Sequence, residues 1–189
     1  MYNGYSRTGC CKQRNIIYGE VNSMRKVRIK ELTHESFSPY GSFANLINPN
    51  SIKIGDAPIE FYRDMVLLNL GNNNQASFSV CRVLKRDLVI DLTEYHNFSG
   101  EGTLPLDGDV LMHVGPATPE GEIPVDKIEV FRVPKGTFVS IRPGVWHHAV
   151  FAYKCDYVNT LIVLPERTYA NDCKVCKLEG EDRIQIVED

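Results

Sequence analysis

Long hydrophobic runs are missing from this chain. No window approaches the roughly 18 uninterrupted apolar residues of a membrane span, and the first residues carry no apolar core of a secretory signal. A cytoplasmic protein with no membrane partner is therefore expected. A surplus of one charge is missing too: 21 Lys and Arg face 24 Asp and Glu, a formal net charge of -3. That balance excludes a chain built to coat a polyanion, so no nucleic-acid partner is expected. There is no low-complexity tract and no long internal repeat, and helical periodicity is scarce. What remains is an ordinary globular composition, 43% hydrophobic and 24% charged over 189 residues, enough for one domain with a real core.

The six cysteines are Cys10, Cys11, Cys81, Cys155, Cys173 and Cys176. With no secretion signal they are expected as free thiols rather than a disulfide framework. Cys173 and Cys176 have zinc-knuckle spacing, but a structural zinc takes four ligands and the remaining close cysteines are only the adjacent pair Cys10-Cys11.

Residues 1–23 scatter Tyr2, Tyr5, Arg7, Lys12 and Arg14 among Gly, Ser and Asn without period, and read as an N-terminal arm. A single domain is expected over 24–189. Val27 to Glu31 alternates as a strand, and Thr33 caps a short helix through Phe37. Strand signals then recur at Met65–Leu70, Ala76–Leu84, Leu88–Leu92, Val110–Val114, Ile128–Val133, Thr137–Ile141, Val145–Phe151 and Val158–Leu164. Arg183–Val187 adds a terminal edge strand. Turn residues such as Asp107-Gly108-Asp109 and Pro134-Lys135-Gly136 separate them. Many short strands with one short helix predict an all-β sandwich or barrel.

Chemistry concentrates in Gly144-Val145-Trp146-His147-His148-Ala149-Val150-Phe151, which holds the only tryptophan and two adjacent imidazoles. Strand side chains alternate, so His147 and His148 face opposite ways and only one can enter a given cavity. Upstream, His96 is followed by Glu101 and Gly108; here Gly136 leads through Pro143-Gly144 to His147. This pair of segments resembles the two motifs of the cupins, which implies a double-stranded β-helix, or jelly-roll barrel. The resemblance places Glu94, His96, Glu101 and His147 around one divalent ion at the barrel mouth, with nickel, manganese, iron and zinc all open. His34 reads as a solvated helix residue, His113 as a strand residue and His148 as a structural neighbour.

A narrower resemblance covers most of residues 27 to 176. Leu32-Thr33-His34-Glu35-Ser36-Phe37-Ser38-Pro39-Tyr40-Gly41, Glu94-Tyr95-His96, Leu104-Pro105-Leu106-Asp107-Gly108-Asp109-Val110, Val145 to Phe151 and Asn171-Asp172-Cys173 are similar to elements of the ureidoglycolate lyases. This implies a cupin-like homodimer of allantoin catabolism that splits ureidoglycolate into glyoxylate and urea. His147, Glu101 and Arg82 are then the expected catalytic residues, and Arg82, Arg142 and Trp146 the expected substrate contacts. Arginine suits a carboxylate because its planar fork binds both oxygens.

Three positions depart from the family. Glu101 stands where glutamine is usual, Ile141-Arg142 where a Tyr-His pair is usual, and Pro165-Glu166-Arg167-Thr168 replaces an Asp-Arg-Gly-Gly element. Two other readings follow from these changes: a non-catalytic cupin that binds a small carboxylate, and a metal-dependent cupin isomerase or oxygenase. Glu101 favours the latter, since a carboxylate holds a divalent ion better than an amide.

Overall fold

The computed structural model of the chain describes residues 24–188, so the arm expected over 1–23 lies outside them. The first elements are β1 (Arg25–Glu31), α1 (His34–Phe37) and β2 (Gly41–Asn45). A small hairpin follows, β3 (Lys53–Ile54) with β4 (Phe61–Tyr62), then β5 (Ala76–Leu84), β6 (Val89–Ile90) and β7 (Leu92–Tyr95). Next come β8 (Glu101–Pro105), β9 (Val110–Val114), β10 (Glu129–Val133), β11 (Thr137–Ile141) and β12 (Phe151–Ala152). The chain ends with β13 (Tyr157–Pro165), α2 (Thr168–Asn171), β14 (Lys174–Lys177) and β15 (Ile184–Val187).

Two sheets face each other, one ordered β12-β9-β10-β1-β15-β6 and the other β2-β11-β8-β13-β5. Between them lie Val110, Met112, Val114, Phe131 and Val133 from the first, against Val83, Val139, Ile141 and Val158 from the second. Phe37 closes this core by meeting Phe131 edge-on at 5.3 Å. Its helix starts as expected, with Thr33 Oγ1 accepting from the Ser36 amide at 3.1 Å. A second core of Val27, Leu111, Val130, Ile184 and Ile186 covers the other side of the first sheet. All five residues of β9 are therefore buried, which is why Val110–Val114 reads as an unbroken apolar run instead of an alternating one. The all-β roll with a short N-terminal helix is thus present.

Four strand expectations need correction. Met65–Leu70 forms no ladder; its carbonyls are taken singly, Leu67 by Ser140 Oγ at 2.9 Å and Asn69 by the Gly100 amide at 2.8 Å. Leu88–Leu92 breaks at Asp91, whose carbonyl accepts from the Leu178 amide. Val145–Phe151 is not one strand: Trp146 and His147 make isolated bridges to Gly115 and Glu94, and regular pairing resumes only at β12. Finally, β15 is no edge, because it lies between β1 and β6 and runs parallel to β1.

One of the described cysteines also differs from expectation. Cys81, Cys155 and Cys173 are free thiols, whereas Cys176 is disulfide-bonded.

Candidate active site

Two loops build the site, and the same alternation sets both. At the end of β7, Tyr95 points one way and His96 the other; before β12, Trp146 and His147 do likewise. Backbone bonds stitch the loops together: Glu94 N to His147 O at 2.5 Å, His147 N to Glu94 O at 2.8 Å, and Gly144 N to His96 O at 2.6 Å. Gly144 makes this possible at φ +78°, a left-handed conformation that a side chain would strain. On one side of the stitch Tyr95 and Trp146 pack edge to face at 4.5 Å. On the other, the His96 and His147 rings stand 5.2 Å apart.

Both imidazoles converge on Glu101, the first residue of β8. Each Nε2 lies 3.4 Å from Glu101 Oε2, and Thr103 Oγ1 donates to Oε1 at 3.2 Å. All three site residues are buried, with exposures of 1% for His96, 7% for Glu101 and 3% for His147. His96 Nδ1 lies 2.6 Å from the Asp172 carbonyl, and His147 Nδ1 lies 2.8 Å from that of Val145. A carbonyl can only accept, so each Nδ1 carries the hydrogen and each Nε2 faces Glu101 with its lone pair unless it is protonated. Two lone pairs and a carboxylate oxygen aimed at one dry space repel one another, so the group requires something positive between them.

A proton on His147 meets that need. Burial alone would push its pKa down, but the Glu101 carboxylate overrides burial and raises it to about 9. Burial would likewise raise Glu101, yet His147 and then His96 hold it well below the usual carboxylate range. A divalent ion meets the same need, and the residues fit one. His96, Glu101 and His147 each offer a donor atom, all within 4.8 Å of one another. His96 Nε2 has no hydrogen-bond partner, and both Nδ1 atoms are anchored on backbone carbonyls, as metal-binding histidines require.

The expected site residues separate here. His96, Glu101 and His147 come together. Glu94 does not join them: its Oε2 accepts from Cys173 Sγ at 3.3 Å, and its donor group is Glu94, His96 and Cys173. Arg82 is not brought to the group, because Cys81 and Val83 point into the core and Arg82 must therefore point out. There it bonds Asn159 Oδ1 at 2.8 Å and lies 5.4 Å from the centre of the Tyr157 ring. Arg142 is exposed and donates to the Ser38 carbonyl at 2.5 Å. Trp146 is only 1% exposed; its Nε1 donates to Thr118 Oγ1 at 2.9 Å, so it fixes the loop rather than lining the group.

Several neighbours were not foreseen. Tyr169 stands 6.4 Å from His96, ring to ring, and burial together with Glu101 and Glu94 holds its hydroxyl above the usual range. Burial and Glu94 raise the Cys173 thiol similarly. Thr103 was readable as the residue two along from Glu101 on the same strand face; the resemblance of Asn171-Asp172-Cys173 singled out that segment, but not the contact of the Asp172 carbonyl with His96.

Comparison with known proteins decides the family. The pattern of the family described as ureidoglycolate lyase matches residues 24–185. The chain belongs to the ureidoglycolate lyase family. A curated ureidoglycolate lyase of Rhodobacter capsulatus is 29% identical over 126 residues, covering 66% of this chain and 77% of that protein. The ureidoglycolate lyase of Burkholderia cepacia is 25% identical over 156 residues, 81% of this chain and 86% of the relative. A solved dTDP sugar isomerase from Desulfovibrio desulfuricans aligns with 76% of this chain and 89% of its own, at 12% identity and a TM-score of 0.47. Among the described residues no helix is long and apolar enough to cross a membrane.

Proposed function

We propose that this ureidoglycolate lyase family member splits ureidoglycolate, or a closely related small ureido acid, into glyoxylate and urea at the His96–Glu101–His147 group. The carrying observation is the convergence of two backbone-anchored Nε2 atoms on one buried carboxylate oxygen. Cleavage removes the substrate's hydroxyl proton, forms the aldehyde carbonyl, breaks the carbon–nitrogen bond and returns a proton to the departing urea nitrogen. His96 Nε2, buried 3.4 Å from Glu101 Oε2 and held in one orientation by Asp172, takes the hydroxyl proton. His147, cationic at neutral pH beside Glu101, supplies the proton to nitrogen. Glu101 is held too acidic to act as the base, and its role is to keep His147 charged. Family membership favours this reading over a non-catalytic carboxylate binder or a cupin oxygenase.

The orphaned His96 Nε2 supports a second reading, in which His96, Glu101 and His147 hold nickel, manganese, iron or zinc. A bound divalent ion would supply positive charge to the substrate's carboxylate and hydroxyl oxygens. Coupled assays for glyoxylate and urea test the reaction, and well-folded protein without turnover would overturn the lyase reading. Elemental analysis of protein prepared without chelator separates the two forms of the site. The homodimer is proposed as well: Phe78, Val80 and Leu84 project outward from β5 at 70%, 64% and 65% exposure, a surface suited to a second copy. A monomer in light scattering would count against it.

A further inference from the structure

We infer a second cation site at Glu94, His96 and Cys173, with a preference for thiophilic divalent ions of the zinc class. The three residues offer a carboxylate oxygen, an imidazole nitrogen and a sulfur, all within 4.8 Å of one another. That donor set with an open position resembles a three-ligand zinc centre, and sulfur selects against manganese and magnesium. Glu94 and Cys173 lie outside the Glu101–His147 pair, while His96 is common to both groups. Glu94 and His96 are two apart on one face of the β7 run, with Tyr95 on the other. Cys173 arrives from the opposite side, because β14 pairs antiparallel with β7 from the Lys174–Tyr95 register onward.

The segment carrying Cys173 is fixed in place. Asp172 holds His96 Nδ1 with its carbonyl, and its carboxylate accepts from the Asn97 and Phe98 amides at 2.8 Å each. Cys173 Sγ already donates to Glu94 Oε2 at 3.3 Å, so sulfur and oxygen are preset as neighbours. The second observation is His96 itself. Its Nε2 is buried without a hydrogen-bond partner, and its Nδ1 is committed to Asp172, so it has one nitrogen to offer. Both donor groups share that residue, and therefore one ion at a time can claim it. An ion on the Cys173 side takes the lone pair that the lyase reading assigns to the base. Resting on that reading, the site is inhibitory.

Cobalt(II), added alone to chelator-stripped wild-type protein, tests the assignment. Thiolate ligation gives a near-ultraviolet sulfur-to-cobalt charge-transfer band, which is expected in the wild type and absent from Cys173→Ser. No band in the wild type, or the same band in Cys173→Ser, overturns the site. A readout without any substitution uses iodoacetamide and peptide masses. Zinc at about ten times its dissociation constant is expected to slow alkylation of Cys173 about tenfold, because only the metal-free fraction reacts, while Cys81 and Cys155 react unchanged. Equal alkylation of Cys173 with and without zinc, or protection of Cys81 instead, overturns it. Failure of the lyase assay would leave both readouts standing.

Discussion

On the inner face of the five-stranded sheet, Glu101, Thr103 and Cys81 sit in or beside the core; on the outer face, Phe78, Val80 and Leu84 stand in solvent. The same sheet thus puts a carboxylate inside, from β8, and large apolar groups outside, from β5. A buried carboxylate is tolerable only when it is paired and hydrogen-bonded, which is what His96, His147 and Thr103 provide. The inner face therefore gives up packing for chemistry, and the outer face keeps apolar area available for association. Arg82 falls on the outer side of this division although the family resemblance linked it to the site.

The sharpest way to break the comparison is on the inside. His147→Ala is expected to lower kcat/KM by roughly 10²- to 10⁴-fold, the usual worth of a positioned proton donor, in a steady-state glyoxylate assay. The adjacent His148→Ala should cost far less, since His148 makes no part of the three-donor group.

The next effect is on stability. The pKa of His147 is raised to about 9 in the folded protein against about 6.5 unfolded. Its contribution is thus fully present below about pH 6.5 and lost as pH rises through about 9. Chelator-treated protein should lose on the order of 3 kcal/mol across that window, read from denaturant melts at pH 6 and pH 10. A flat profile would show that the Glu101–His147 pair is not an ion pair.

Glu101→Gln restores the amide usual in the family and keeps an acceptor for Thr103. Without the carboxylate, burial dominates and the His147 pKa falls, so the alkaline limb of the activity profile should move to lower pH instead of activity being abolished. An unmoved limb would assign that limb to another group. On the outer face, Phe78→Ser should weaken self-association by about 1–2 kcal/mol if the row is a dimer contact, seen as a concentration-dependent shift in light scattering. Smallest of all, Arg82→Ala should alter stability by less than about 0.5 kcal/mol and leave turnover unchanged.

Much of this division was legible in the sequence. The His96–Glu101 spacing and the Pro143-Gly144 turn before His147 pointed to the three side chains that the structure brings together, because hairpin glycines and strand alternation are local properties. Gly136 and Gly144 do adopt positive φ, at +76° and +78°. Glu94 was less legible: its strand position faces the site, but its side chain has Cys173 as a partner, from a segment 79 residues away. The break in Val145–Phe151 was hidden for a related reason. Its composition suits a strand, yet Trp146 and His147 bridge to two different partners, and no local pattern encodes that choice.

Asp172 gives the site an order of assembly. Its carbonyl orients His96 and its carboxylate ties down the Asn97 and Phe98 amides, so the first motif is not locked until the seventy-sixth residue after His96 has been synthesised. A nascent chain that has already made both sheets' middle strands still carries a swinging imidazole. The site becomes chemically competent only once Asp172 has emerged from the ribosome and folded back onto His96.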